Sequence, residues 1–168
     1  MGYTSSVGEN AQYLITQGSR VLASVLFGSA AWKCRDRDQF IGWSGEARAR
    51  NLVLLTNNQR FLIMPWVRVP HLGSWILGRV LRRLSADWQA KYGHPILLVE
   101  TFVERERFRG TVYRAANWAA RGRDARADTA GSKHHLARAG ERHLRLSAGA
   151  QLSGRSSSWP CVRPSRNR

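Results

Sequence analysis

RFLIMPWVRVPHLGSWILGRVLRRLSADWQAKYGHPILLVETFV, residues 60–103, is the stretch whose reading decides the fold. It opens on a dense apolar run at 60–69, where Phe61, Leu62, Ile63, Met64, Trp66 and Val67 predict a strand. Pro65 has no amide hydrogen, so it places that strand at an edge or at a bulge. Pro70-His71-Leu72-Gly73-Ser74 predicts a turn, with Ser74 capping a helix that continues to Lys91. Leu77, Val80, Leu81, Leu84 and Trp88 recur at intervals of three and four and share one helix face, while Arg79, Arg82 and Arg83 fall away from it. Gly93 suits a left-handed helix end, and Pro95 follows. Residues 96–103 predict a buried strand, and 109–118 a short helix or turn. Strand, turn, helix and strand make a crossover unit, which implies an α/β fold with a parallel or splayed central pair.

Upstream, Val21, Ala23 and Val25 alternate with Leu22, Ser24 and Leu26, predicting a strand over 20–26 that 27–32 can extend. Ser44 reads as a helix N-cap with Glu46 in the positive first turn. That helix is expected to reach Asn57, with Leu52 and Leu55 facing inward.

The chain of 168 residues suits one domain, and 16 aromatic residues, seven of them Trp, can furnish its core. Net charge is +16, from 27 Lys and Arg against 11 Asp and Glu. Lys33, Lys91 and Lys133 are the only Lys, so the other 24 are Arg. Arg is the fork-shaped binder of phosphate and carboxylate, which favours polyanionic partners. No run of 18 apolar residues predicts a membrane span, and no signal peptide precedes the body, so a cytoplasmic protein is the simplest expectation. Met1-Gly2 with Ser6 loosely fits an N-myristoylation pattern that nothing else supports. Cys34 and Cys161 make neither a disulfide framework nor a metal cluster.

Composition breaks near Arg121. Residues 1–122 carry a net +9, and residues 123–168 a net +7 with no Ile, Phe or Tyr. Such a tail is expected to be disordered. Its one helical candidate, 132–146, has only Leu136, Leu144 and Leu146 as apolar anchors. The domain expectation is therefore a folded body over 1–122 and a basic tail over 123–168.

The order of elements over 60–118 resembles the second half of the GNAT acyltransferase fold, in which a strand leads through a phosphate-cradling turn into a long helix. Tyr113-Arg114-Ala115-Ala116-Asn117-Trp118 has the spacing of that fold's Tyr before a Gly-Phe pair, with Asn117 and Trp118 in place of the pair. A closer likeness rests on Phe27-Gly28-Ser29-Ala30-Ala31-Trp32-Lys33, Phe40-Ile41-Gly42-Trp43, Asn57-Asn58-Gln59-Arg60-Phe61-Leu62-Ile63, Pro65-Trp66-Val67, Leu72-Gly73-Ser74, Glu100-Thr101-Phe102-Val103 and 109–118. In this order they resemble the bacterial family that includes DruA of the Druantia anti-phage system, with relatives in or beside transposase-type proteins. Both resemblances imply a GNAT-like mixed sheet with flanking helices. Relatives usually have more chain before Gly2-Tyr3, and continue after Trp118 with a Gly-Thr-x-Gly-Arg-Gly type segment. Gly122-Arg123-Asp124-Ala125 stands there instead, which implies a truncated copy with a shifted reading frame beyond residue 122.

The GNAT likeness implies acyl-CoA as cofactor, its pyrophosphate held by His71, Leu72, Gly73 and Ser74 at the helix start. The plainer reading is a capped loop, and Pro70 removes one donor. Glu100, inside an apolar strand, is a candidate general base, or else half of an ion pair with an Arg. Tyr113 is a candidate acid for a leaving thiolate, as the resemblance implies, or else a satisfied core aromatic. Arg79, Arg82 and Arg83 are candidate nucleic-acid contacts. Trp32, Trp43, Trp66 and Trp75 could stack bases beside Arg, though Trp at this density is more often core. His134, His135 and His143 have no ligand-spaced partner, so no metal is expected.

Three functions follow as expectations. One is a phage-defence or mobile-element protein acting on or near nucleic acid, with other defence-system or transposase proteins as partners. The second is an acyl-CoA-dependent N-acyltransferase. The third is an inactive remnant that binds polyanions by charge.

Overall fold

The computed structural model describes residues 8–104, 106–124 and 133–139. Two antiparallel strands open the fold, β1 (Asn10–Gln17) and β2 (Arg20–Ser29). Two short helices follow, α1 (Arg35–Ile41) and α2 (Gly45–Asn51), then a 3-10 turn at Leu52–Leu54. The crossover unit comes next: β3 (Leu55–Ile63), α3 (Leu72–Tyr92) and β4 (Leu98–Glu104). Helix α4 (Thr111–Ala115) leads to β5 (Ala119–Asp124) and β6 (Lys133–Ala139). The sheet order is β1-β2-β3-β4-β6-β5, with β3 and β4 parallel and every other pair antiparallel. This is the expected mixed sheet with flanking helices.

Helix α3 packs on one sheet face. Ile76, Leu77, Val80, Leu84 and Trp88 are buried there against Tyr13, Ala23, Val25, Phe27, Val99 and Val103. Burying each such side chain is worth about 1.5–3 kcal/mol, so this layer carries most of the cohesion. Gly93 closes α3 at φ 84°, donating its N–H to the Gln89 carbonyl. The opposite face is covered over its middle by a smaller cluster, Leu55 and Leu98 under Ile41, Trp43, Leu52 and Leu54.

Several expectations are corrected. Ser44 does cap α2, accepting from the Ala47 N–H at 3.2 Å, but the helix stops at Asn51 rather than Asn57. Leu55 starts β3 because its partner Leu98 lies alongside in the sheet. Strand β3 therefore begins before residue 60, and it ends at Ile63. Pro65 lies beyond it in a turn closed by the Val67 N–H on the Met64 carbonyl at 2.9 Å. At the start of α3 the capping position is His71, at φ 60°, and not Ser74. The Ser74 hydroxyl bonds back to the His71 carbonyl at 3.0 Å from inside the first turn.

The boundary expected at 122/123 falls inside β5, and the tail expected to be disordered contributes β6, a strand where its one helical candidate begins. Seven residue pairs along β4 hold β6 in register, from Leu98↔Ala139 to Glu104↔Lys133. Pairing with a central strand overrides a local sequence that has no strand pattern. The rest of the expected tail, including Leu144, Leu146, His143 and Cys161, lies outside the described residues, as do Met1, Gly2 and Ser6.

Candidate functional site

Strands β3 and β4 are joined by three register pairs only: Leu55↔Leu98, Thr56↔Val99 and Asn57↔Glu100. Beyond Asn57 and Glu100 the two strands part, each still paired on its outer side, β3 to β2 and β4 to β6. The result is a fork, open toward the C-terminal ends of both strands. A bulge at Gln59, which the β2 ladder skips between Phe27↔Asn58 and Leu26↔Arg60, bends β3 at the point of parting.

Asn58, buried, fixes this bend. Its amide nitrogen donates to the carbonyls of Leu26 at 3.0 Å and Arg60 at 3.1 Å, one on each side of the bulge. Its amide oxygen accepts from the Tyr113 hydroxyl at 2.8 Å. Thr101 spans the fork from β4, its hydroxyl donating to the Asn58 carbonyl at 3.0 Å. Burial raises the Tyr113 hydroxyl above its ordinary pKa, and the neighbouring Thr101 hydroxyl partly opposes that rise. Tyr113 also packs edge-on against Trp118, at 5.1 Å between ring centroids. The Trp118 indole N–H is buried and has no hydrogen-bond partner among the described residues.

Glu100 does not share this cleft. Side chains alternate along a strand, so Thr101 and Val103 face α3 while Leu98 and Glu100 face α1. Glu100 accepts from the Ala31 N–H at 2.9 Å and pairs with Arg37 at 3.2 Å, both side chains being 0% exposed. The same Arg37 guanidinium donates to the Ala31 carbonyl at 2.7 Å and to Asp38 at 2.9 Å. Asp38 in turn meets Arg48 at 3.1 Å. The ion-pair reading of Glu100 is the one the geometry shows. A base–acid couple of Glu100 with Tyr113 is excluded, because the sheet lies between them.

The helix start at the mouth of the fork is also not as expected. Gly73 is buried, and a Cβ there would stand 2.9 Å from Val112 and 3.3 Å from Ile63. Its lack of a side chain lets α3 meet α4 and β3 closely. His71 is exposed beside half-buried Leu72 and Ser74, so that edge of the turn faces solvent.

Among the arginines of α3, Arg82 is exposed and Arg79 stacks over Trp75 at 5.1 Å. Arg83 is committed to Asp87 at 2.7 Å and 3.0 Å, an i,i+4 pair that Tyr13 joins at 2.8 Å. It is the least suited of the three to a phosphate. The Trp residues divide. Trp88 and Trp118 are core, and Trp43 packs in the small cluster. Trp32, Trp66 and Trp75 are 58%, 60% and 55% exposed, contrary to the core reading of these three. Phe108 is likewise 59% exposed, with Arg107 over its ring at 5.6 Å, and sequence reasoning singled out neither. The signal available was the run of Arg around Phe108 just after a buried strand.

Solved structures of similar fold are acetyltransferases. A GNAT-family acetyltransferase from Bacillus cereus ATCC 10987 is 10% identical over 79% of this chain and 72% of its own, with a TM-score of 0.51. The aminoglycoside acetyltransferase AAC(6')-Ib, solved with coenzyme A and kanamycin, is 12% identical over 77% of this chain and 66% of its own, at 0.50. Spermidine N-acetyltransferase from Vibrio cholerae, solved with CoA and spermine, is 7% identical over 78% and 66%, also at 0.50. This chain thus spans just under two thirds of the length of the last two. At such identities the likeness establishes a GNAT-like fold and nothing about ligands. Comparison with curated proteins gives no match. The sequence model of the Druantia protein DruA matches residues 1–147, running past the break read at residue 122 and through β6. With most of its length so matched, and with a GNAT-like fold, the chain belongs to the DruA family.

Proposed function

We propose that this DruA-family chain serves in anti-phage defence and engages nucleic acid at the open end of the β3–β4 fork. The observation that carries this reading is the charge of that end. The segments leading out of the two strands, 64–79 and 104–114, hold six Arg against two Glu. Arg68, Arg107, Arg109 and Arg114 are exposed there. Phosphates neutralised at such a rim release counterions, so binding weakens steeply with salt. A DNA titration across a salt series, followed by fluorescence anisotropy, tests it. Arg68→Glu and Arg109→Glu together should lower the log–log salt slope by roughly two, about one per lost phosphate contact. A flat salt response of the wild type would end the reading.

A second reading, acyl-CoA-dependent N-acyl transfer, is favoured by the fork itself. A thioester could lie between the parted strands, with Tyr113 at their junction as proton donor to the leaving thiolate. Acyl-CoA, if bound, would supply the activated acyl group. Tyr113, held by Asn58, would face its reacting end, and the exposed edge of the α3 start would face its phosphates. Among the described residues the one carboxylate proposed as base, Glu100, is paired with Arg37 beneath the other face. Calorimetric titration with acetyl-CoA decides: measurable heat supports transfer chemistry, and none at millimolar cofactor ends it.

A further inference from the structure

We infer, resting on the nucleic-acid reading above, that the ligand is single-stranded and that its bases stack on two aromatic shelves at the rim of the fork. The first shelf is Trp75 with Arg79, one helical turn apart on α3. The second is Phe108 with Arg107, in the segment leaving β4. Because β3 and β4 are parallel and α3 returns antiparallel to them, both shelves lie at the same, open end of the sheet. Trp66, 60% exposed, stands in the same β3–α3 connection.

Each shelf joins a ring with more than half its surface in water to a guanidinium 5.1 Å or 5.6 Å from its centroid. Such a pair offers a flat surface for a nucleobase and a cation for the adjoining phosphate. Only unpaired bases have faces to offer, since in a duplex the faces are stacked on one another and the protein meets edges and phosphates. A duplex would use the positive rim but leave the rings idle. A third such pair, Trp32 with Arg48 at 5.9 Å, lies where β2 ends beside the start of β3, at the opposite end of the fork. It is off the track and serves as an internal control.

The full chain is titrated with four probes of about 12 units each, the scale of a single-strand site: oligo(dT), oligo(U), an abasic strand of equal charge, and a DNA duplex. Expected is binding of oligo(dT) or oligo(U) roughly tenfold or more tighter than the abasic strand and the duplex, the worth of a stacked base. Trp75→Ala and Phe108→Ala should each bring the preferred strand toward the abasic level, Trp75→Phe should restore most of the loss, and Trp32→Ala should change nothing. Equal binding of abasic strand, duplex and oligo(dT) by the wild type overturns this inference and leaves charge-driven binding standing. So does a Trp75→Ala variant with a wild-type melting curve and undiminished affinity. Failure of all four probes at low salt overturns the nucleic-acid reading as well.

Discussion

The two ends of the β3–β4 pair are built from the same residue types and treat them in opposite ways. At the joined end, Arg37 and Glu100 are withdrawn from water entirely and satisfy each other and the Ala31 backbone. At the open end, half-buried Arg79 and exposed Arg107 lie over exposed rings. Arg37 is structural because a fully buried carboxylate stands opposite it, whereas the carboxylate nearest Arg107, that of Glu104 at 3.7 Å, lies at the solvent-facing rim. Composition, which supplies +16 of net charge, cannot distinguish the two.

The largest expected effect tests the joined end. Glu100→Ala removes the buried partner of Arg37, leaving it only the carboxylate of Asp38, and should cost up to about 3–5 kcal/mol in denaturant unfolding. The double change of Glu100→Leu with Arg37→Met should recover much of that, since an apolar pair leaves no uncompensated charge. A single variant as stable as wild type would show that the pair is open to water, and would erase the contrast.

Next is the seam between α3 and α4. Gly73→Val should destabilise by about 1–3 kcal/mol through overpacking against Val112 and Ile63. Any gain in helix propensity is below about 1 kcal/mol and does not offset it. Unchanged stability with altered ligand binding would return Gly73 to the ligand side of the turn.

Alkaline pH comes third. Burial raises the Tyr13 hydroxyl, and Asp87 beside it raises it further. Burial also raises Tyr113. Above pH 10, the ordinary tyrosine value, the unfolded chain loses these protons while the folded chain keeps them. Stability is thus fully present below that pH and is lost as pH rises toward the folded values, by at most about 1.4 kcal/mol per pH unit for each group. A melting temperature constant from neutrality to strong alkali would contradict both assignments.

Tyr113→Phe should cost about 1 kcal/mol, the worth of its bond to Asn58. If the fork catalyses acyl transfer, this variant lowers kcat and leaves KM alone. Smallest is Trp75→Ala at the open end, which should shift stability by no more than about 0.5 kcal/mol. A large loss there would mean that the exposed ring is part of the core, and the difference between the ends would vanish.

The crossover unit was legible because its signals are local: the apolar stripe of α3, Gly93 at its end, and the apolar run of β4. The 3-10 turn and the start of β3 were misread as helix because Leu52 and Leu55 keep a helical interval. Only the neighbouring Leu98 decides that Leu55 is extended. β6 was illegible for the same reason, since Lys-His-His-Leu-Ala-Arg-Ala becomes a strand through its partner. Glu100 was rightly marked as a buried acid, but its partner lies 63 positions away in a charged stretch that reads as surface. Tyr113 was found by spacing, whereas Asn58, which holds it, carried no signal by itself.

The order of strands across the sheet has a consequence for the nascent chain. Strand β4 is complete at Glu104, yet its long antiparallel neighbour spans Lys133–Ala139. During synthesis the first three strands and α3 can assemble as soon as they emerge. The outer side of β4 waits for some thirty further residues, with β4 held by three residue pairs and the underside of α3. Until Ala139 clears the ribosome, one long edge of β4 offers its amides and carbonyls unpaired. A chain stopped between the two strands should be retained by chaperones, and release past β6 should free it.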